Sequence, residues 1–195
     1  MKFLTKVGDV LLGRTRPARP NLDVLFAIPA AAIALRVGLD LAATGSGGVC
    51  FRTAEGGAGA RTEADALALS RVDPAGRAEI ARDEYAYTWV TFRRADADLS
   101  ALVTDLHAVN TTLAEAGFGS GLLCTLVGFS SAEGNRRVGL VYLFKRGTVY
   151  PFAPIGGERR DNELELAVRA QLTGELPLEE DLSRWFPLWS APPLT

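Results

Sequence analysis

The sequence predicts an α+β domain: an antiparallel sheet with helices packed mainly on one face. Three observations carry this reading. Asp98–Gly117 is one long stretch of helical periodicity, with Leu99, Leu102, Val103, Leu106, Val109 and Leu113 recurring at spacings of three and four. It is followed by three strand-like runs, Leu122–Phe129, Arg137–Phe144 and Thr148–Phe152, joined by short turns. Along the chain, strands come in runs rather than alternating regularly with helices.

The elements follow in order. Residues 2–12 predict a short helix with Phe3, Leu4, Val7, Val10 and Leu11 on one face. Arg14 to Pro20 is a basic linker in which Pro17 and Pro20 forbid helix. Asn21 is placed to cap a core helix, LDVLFAI, and Pro29 suits the first turn of a second piece, PAAAIALRV. Gly45-Ser46-Gly47-Gly48 is expected to be a turn feeding a strand, VCFR; with no Lys-Ser/Thr after it, it is not a phosphate-binding loop. Thr62–Arg71 predicts a modest helix, and Arg77–Asp83 and Tyr85–Arg93 predict two strands around Asp83-Glu84.

The long helix can be capped by Asp96 or Asp98, and Gly117 stands where a left-handed residue ends a helix. Asn110 lies mid-stripe, which predicts a buried amide bonded to a neighbour, and His107 falls at the stripe's edge. In the strands both faces are apolar. Leu122, Cys124 and Leu126 alternate with Leu123, Val127 and Phe129, and Val138, Leu140, Tyr142 and Phe144 alternate with Gly139, Val141 and Leu143. A sheet with one wet face would alternate apolar with polar. Helices can cover one side; the other needs a second layer, the C-terminal tail or another subunit. A homodimer built on that second face is the expectation. Lys145-Arg146-Gly147 supplies a turn, with Gly147 free to take positive φ. Asp161 or Asn162 can cap a last helix over 162–174, closed by Gly174.

Three segments result: a basic amphipathic N-terminal segment and linker, 1–20; one domain, 21–174; and an aromatic, proline-containing tail, 175–195. The chain of 195 residues is 48% hydrophobic and 23% charged, ordinary for a globular protein. The net charge of −2 argues against a general nucleic-acid binder. Within residues 1–20 the five cations Lys2, Lys6, Arg14, Arg16 and Arg19 face Asp9 alone, a local charge of +4 that leaves −6 for the remainder. A short basic amphipathic helix can lie on an anionic membrane surface, so residues 2–19 are a candidate peripheral contact. Asp9 interrupts any signal-peptide core, and no run is expected to reach the roughly 20 apolar residues of a membrane span. Cys50 and Cys124 are too few for a disulfide scaffold and read as buried free thiols, as in a reducing cytosol.

Recognisable reaction chemistry is absent from the residues. One histidine excludes any site needing two, and neither HExxH nor CxxC occurs. Ser130 and Ser131 are expected in a turn, and Asp83-Glu84 and Glu179-Glu180-Asp181 as solvated carboxylates in turns. No catalytic, cofactor or metal residue is therefore assigned. Two sets of candidate binding residues stand out. Trp185, Phe186 and Trp189 make the tail too apolar to be free, and point to an apolar groove or a partner. Arg159 and Arg160, beside a helix N-terminus, could hold an anion.

Several stretches together resemble one family: LLGRTRPARPNLDVLFAIPAAAIAL, GGVCFR, RDEYAYTWV, DLHAVNTTLAEAGFG, LLCTLVGF, LVYLFKRGTVYPFAP, RRDNELEL and DLSRWFPLW. They look like the actinobacterial PspA-associated protein PspAB, from about residue 11 to about residue 190, with Gly56–Ala78 the least diagnostic stretch. The resemblance implies association with the phage-shock envelope-stress system, often alongside an HtpX-type membrane metalloprotease. That means a cytoplasmic, non-enzymatic adaptor, peripheral at the inner face of the membrane, whose partner is a PspA-like protein or the protease. It supplies no catalytic residues. The element order also resembles YbjN and type III secretion chaperone-like folds, which are commonly dimeric binding modules; this is analogy of fold alone. The alternative is a small-ligand or anion-binding sensor using Arg159 and Arg160.

Overall fold

The computed structural model describes residues 20–52, 76–83, 85–95 and 97–194. The helices expected at 2–12 and 62–71, and most of the 1–20 segment, lie outside the described residues.

The fold is α+β, as expected: a six-stranded, wholly antiparallel sheet and three α-helices among the described residues. A 3-10 turn, Leu22–Ala27, runs directly into α1, Ile28–Leu39. Pro29 sits in the first turn of α1, but the Asn21 side chain makes no capping bond; its carbonyl instead accepts from the Tyr142 hydroxyl at 2.9 Å. Asp40 takes a left-handed conformation and turns the chain into β1, Leu41–Phe51. The remaining elements are β2 (Gly76–Arg82), β3 (Thr88–Arg94), α2 (Leu99–Leu113), β4 (Leu122–Ser131), β5 (Arg137–Leu143), β6 (Thr148–Phe152) and α3 (Asn162–Leu172). Asp98 caps α2 by accepting from the Ala101 amide, and Asp161 caps α3 by accepting from the Leu164 amide. A wider turn, Ala114–Phe118, ends α2 with Gly117 at φ 88°.

The sheet order is β2-β3-β1-β4-β5-β6. β1 is one of the two central strands and continues through the glycines expected to form a turn, with a bulge between Ala43 and Gly47 where Gly45 takes φ 71°. Local composition misleads here because the glycines serve contact. A Cβ on Gly47 would lie 2.9 Å from Leu106 of α2, and one on Gly48 would lie 3.1 Å from Pro193 of the tail. Ser130 and Ser131 likewise end β4 rather than forming a turn.

All three helices cover one face. Leu25, Ile28, Ala31 and Leu35, the apolar stripe of α2, and Leu164, Val168 and Leu172 pack on Val49, Phe51, Val90, Phe92, Val127, Phe129, Leu140 and Tyr142. In the middle of this layer Asn110 donates to the Leu106 carbonyl and to Thr125 Oγ1, both at 2.8 Å. Leu22–Leu39, 18 residues of mean hydropathy 1.9, is by length and composition long and apolar enough to cross a membrane, although Asp23 and Arg36 interrupt its apolar run. Here its inner side belongs to the core.

The opposite face carries a second apolar cluster: Cys50, Trp89, Cys124, Leu126, Val141, Tyr150 and Phe152, with Trp185, Ala191 and Leu194 of the tail on top. Leu122 does not join Cys124 and Leu126 on one side, as strict alternation predicts. The ladder steps from Cys50↔Cys124 to Phe51↔Leu122, leaving Leu123 without an opposed partner. That bulge puts Leu122 with the helices and Cys124 with the tail. The second face, which motivated a homodimer, is thus occupied by the chain's own tail.

Candidate binding pocket between the sheet and the C-terminal strap

The tail begins at Gly174, which takes φ 89° after α3. It first adds to the sheet edge. The Val149 amide donates to the Pro177 carbonyl and the Glu179 amide to the Val149 carbonyl, each at 2.8 Å. Glu179 is buried here, not solvated. Its carboxylate accepts from both the Nε and Nη2 of Arg146, from Thr148 Oγ1 at 2.7 Å and from the Asp181 amide at 3.2 Å. Burial pushes this carboxyl up, but the Arg146, Thr148 and Asp181 bonds outweigh it and hold it below the usual carboxylate range.

Past a 3-10 turn, Leu182–Arg184, the tail becomes a strap across the second face. Trp185 is its buried anchor. Its indole N–H donates to the Glu179 carbonyl at 3.0 Å, and its ring stacks on Tyr150 at 6.0 Å. The Tyr150 hydroxyl donates to the Phe186 carbonyl at 2.9 Å. Trp189 meets the Phe152 ring edge-on at 5.1 Å. The strap ends in a second 3-10 turn, Pro192–Leu194, over a shallow track where three strands carry glycine. A Cβ on Gly48, Gly128 or Gly139 would lie 3.1–3.2 Å from Pro193 or Leu194. Arg137 Nη1 then donates to the Leu194 carbonyl at 3.0 Å.

Of the expected partner-binding residues, Trp185 and Trp189 therefore hold the strap down, while Phe186 is 55% exposed. Of the expected anion-binding residues, only Arg159 is exposed. Arg160 turns inward: its Nε donates to Glu165 at 2.8 Å, its Nη1 to the Trp185 carbonyl, and its guanidinium lies 5.3 Å over the Phe152 ring. The two arginines are not brought together into one anion site.

The strap does not seal the face completely. Between it and the sheet is an apolar cavity of about 440 Å³. Cys50, Trp89, Cys124 and Tyr150 form its floor, Tyr85 and Tyr87 of the β2–β3 hairpin one wall, and Phe186, Leu188 and Trp189 the other; Lys145, Arg146 and Arg184 stand around it. The hairpin wall is built by Asp83, whose carboxylate accepts from the Tyr85 and Tyr87 amides and from the Trp89 indole at 2.9–3.1 Å. Asp83 is thus a turn-former, not a solvated charge. An Asp followed by aromatics at the second and fourth positions is the local signal for it. The cavity itself could not be read from the sequence, because its two walls are about 100 residues apart in the chain.

Its interior favours apolar contact over reaction. Cys50 and Cys124 are directly opposed across β1 and β4, and both are free. The hydrogen bond between them and their burial push the Cys50 thiol far up, so it stays protonated and a poor nucleophile. Burial also pushes the Tyr150 phenol well above its ordinary value, keeping it a donor. His107 lies on the other layer, 4.6 Å from Phe26, with no role in the cavity. Among the described residues no group of three His, Cys, Asp or Glu side chains is placed to hold a metal ion. A cavity of this size, apolar with a few fixed polar groups, suits an inserted apolar side chain or a small apolar ligand.

No curated protein and no solved structure matches the chain. The YbjN and secretion-chaperone likeness accordingly rests on element order alone. The family model described as PspA associated protein B matches residues 2–193. With nearly the whole length covered, the chain belongs to the PspA associated protein B family.

Proposed function

We propose that the protein is a non-enzymatic adaptor of the phage-shock envelope-stress response, acting in the cytoplasm, and that it docks a PspA-related protein through the cavity between sheet and strap. The observation that carries this is an open apolar cavity walled by partly exposed aromatics in a chain of a PspA-associated family. An apolar side chain projecting from the partner would replace water against Phe186, Leu188 and Trp189. Buried aromatic anchors of this kind dominate protein interfaces. The same surface can serve an HtpX-type membrane protease, so both belong in one binding assay.

Phe186→Ala is the informative variant, since Phe186 is 55% exposed and its loss leaves the strap's anchors in place. Calorimetric titration of the full chain with the PspA protein encoded in the same genome is expected to give saturable binding, weakened about tenfold or more by Phe186→Ala, which is roughly 1.4 kcal/mol. Equal affinity for both proteins would remove the cavity from the interface. Absence of binding to the PspA protein, with binding to the protease, would move the adaptor to the other partner. The second reading, a small-ligand sensor, is favoured by the cavity rather than by Arg159 and Arg160, because Arg160 is engaged internally. A thermal-shift screen in which one apolar metabolite gives a saturable rise would favour it.

A further inference from the structure

The lining of the cavity between sheet and strap is graded. Cys50, Trp89, Cys124 and Tyr150 on its floor are buried, whereas Tyr85, Phe186 and every cation that lines it are exposed. The polar groups of the floor are engaged by neighbours: the Trp89 indole by Asp83, the Tyr150 hydroxyl by the Phe186 carbonyl, and the two thiols by each other. Hydrocarbon suits such an interior, and a charged group there would lose its hydration without finding a partner. The charges stand at the mouth. Lys145 and Arg146 come from the β5–β6 turn and Arg184 from the first turn of the strap. They face one lining carboxylate, Asp83, which the hairpin already uses. Arg146 pairs with Glu179 and Arg184 with Asp181, so Lys145 carries the surplus positive charge.

We infer, on the reading of this cavity as a binding site, that it also takes a single-chain anionic amphiphile, a medium-chain fatty acid, with the hydrocarbon on the floor and the carboxylate at Lys145. Volume favours a chain over a lone side chain. The four carbons of a leucine side chain, each about the size of a water at roughly 30 Å³, fill only about a quarter of the 440 Å³. A chain of about ten carbons fills roughly 300 Å³ on the same scale. Charge selects the head group. The aromatic walls alone would also accept an alkylammonium through cation–π contact, but the cations at the mouth repel one. A carboxylate meets them instead and keeps its outer side in water. A bound chain fills the space that a partner's apolar side chain needs, so fatty acid and docked partner exclude each other.

All three tryptophans of the chain, Trp89, Trp185 and Trp189, belong to this face, so intrinsic fluorescence reads the cavity directly. Titration of the full chain with decanoate, kept below its micelle range, is expected to give a saturable change at lower concentration than decyltrimethylammonium does. Lys145→Glu, at an exposed position, is expected to weaken decanoate about fivefold, as for one exposed ion pair lost and reversed. The same variant should leave 1-decanol unchanged, strengthen decyltrimethylammonium and keep the melting temperature. Silence toward decanoate would overturn the inference, as would equal affinity for the two ions, a preference for the cation, or decanoate binding that ignores Lys145→Glu. A response to anionic vesicles but not to monomeric decanoate would also overturn it, because a bilayer surface would then be the ligand. Binding of the PspA protein that Phe186→Ala weakens, with no response to decanoate, would leave docking standing and remove the fatty acid; a response to decanoate with no PspA binding would do the reverse. Where both bind, decanoate is expected to lower the apparent affinity for the PspA protein, and undiminished affinity would overturn the shared site.

Discussion

Glu179 holds the strap to the edge of β6 at the place where the chain leaves the sheet's edge for its second face. Its folded-state pKa is depressed relative to an unfolded glutamate near about 4.3, so its contribution is present above that value and lost as pH falls through the folded one. Melting temperature is accordingly expected to hold steady around neutrality and to drop in acid. Glu179→Gln should lower stability by about 1–3 kcal/mol at neutral pH, and its melting curve should depend less on acid. A variant with the parent's stability and acid profile would show that Arg146, with 42% of its side chain exposed, gains nothing from the contact. At Cys50 and Cys124 the expected outcome is resistance to iodoacetamide in the native protein and rapid alkylation in urea, read by mass spectrometry. Legibility at this scale follows the distance to the partner. Asn110 was readable as a bonded amide because one partner is a carbonyl one helical turn away. Glu179 was not, because it heads an acidic run that resembles solvated surface, and its arginine lies 33 residues back in the chain.

Among the elements, α2, the β4–β6 meander and α3 were legible from periodicity and caps. β1 was not. Its glycines have the composition of a turn and the role of contact points for Leu106 on one side and Pro193 on the other. Gly47→Ala tests that role. The added Cβ would press on Leu106, and a cost of about 1–3 kcal/mol is expected in denaturant titration. An unchanged midpoint would mean that α2 has slack. The strap was legible as apolar but not as an intramolecular cover, since composition does not distinguish a groove in the same chain from one in a partner. Trp185→Ala should cost about 3–5 kcal/mol, as expected for a buried large aromatic with a bonded indole N–H. Removing residues 181–195 should bring strong binding of a hydrophobic dye to the uncovered face.

For the molecule as a whole, the sheet is an apolar sandwich filling whose two covers come from very different places in the chain. The helical cover is interleaved with the strands and assembles alongside them. The strap follows every described strand and α-helix in the chain, so vectorial synthesis leaves the face around Cys50, Trp89 and Tyr150 bare until residues 181–194 have emerged. Until then the nascent protein is sticky in the sense that matters to chaperones, and a chain clipped before Asp181 remains so. The strap also reaches its site without threading, by lying across the surface, so it can be supplied separately. A synthetic peptide of residues 181–195, added during refolding of the clipped protein, is expected to suppress aggregation measured by light scattering. The same peptide carrying Trp185→Ala should not.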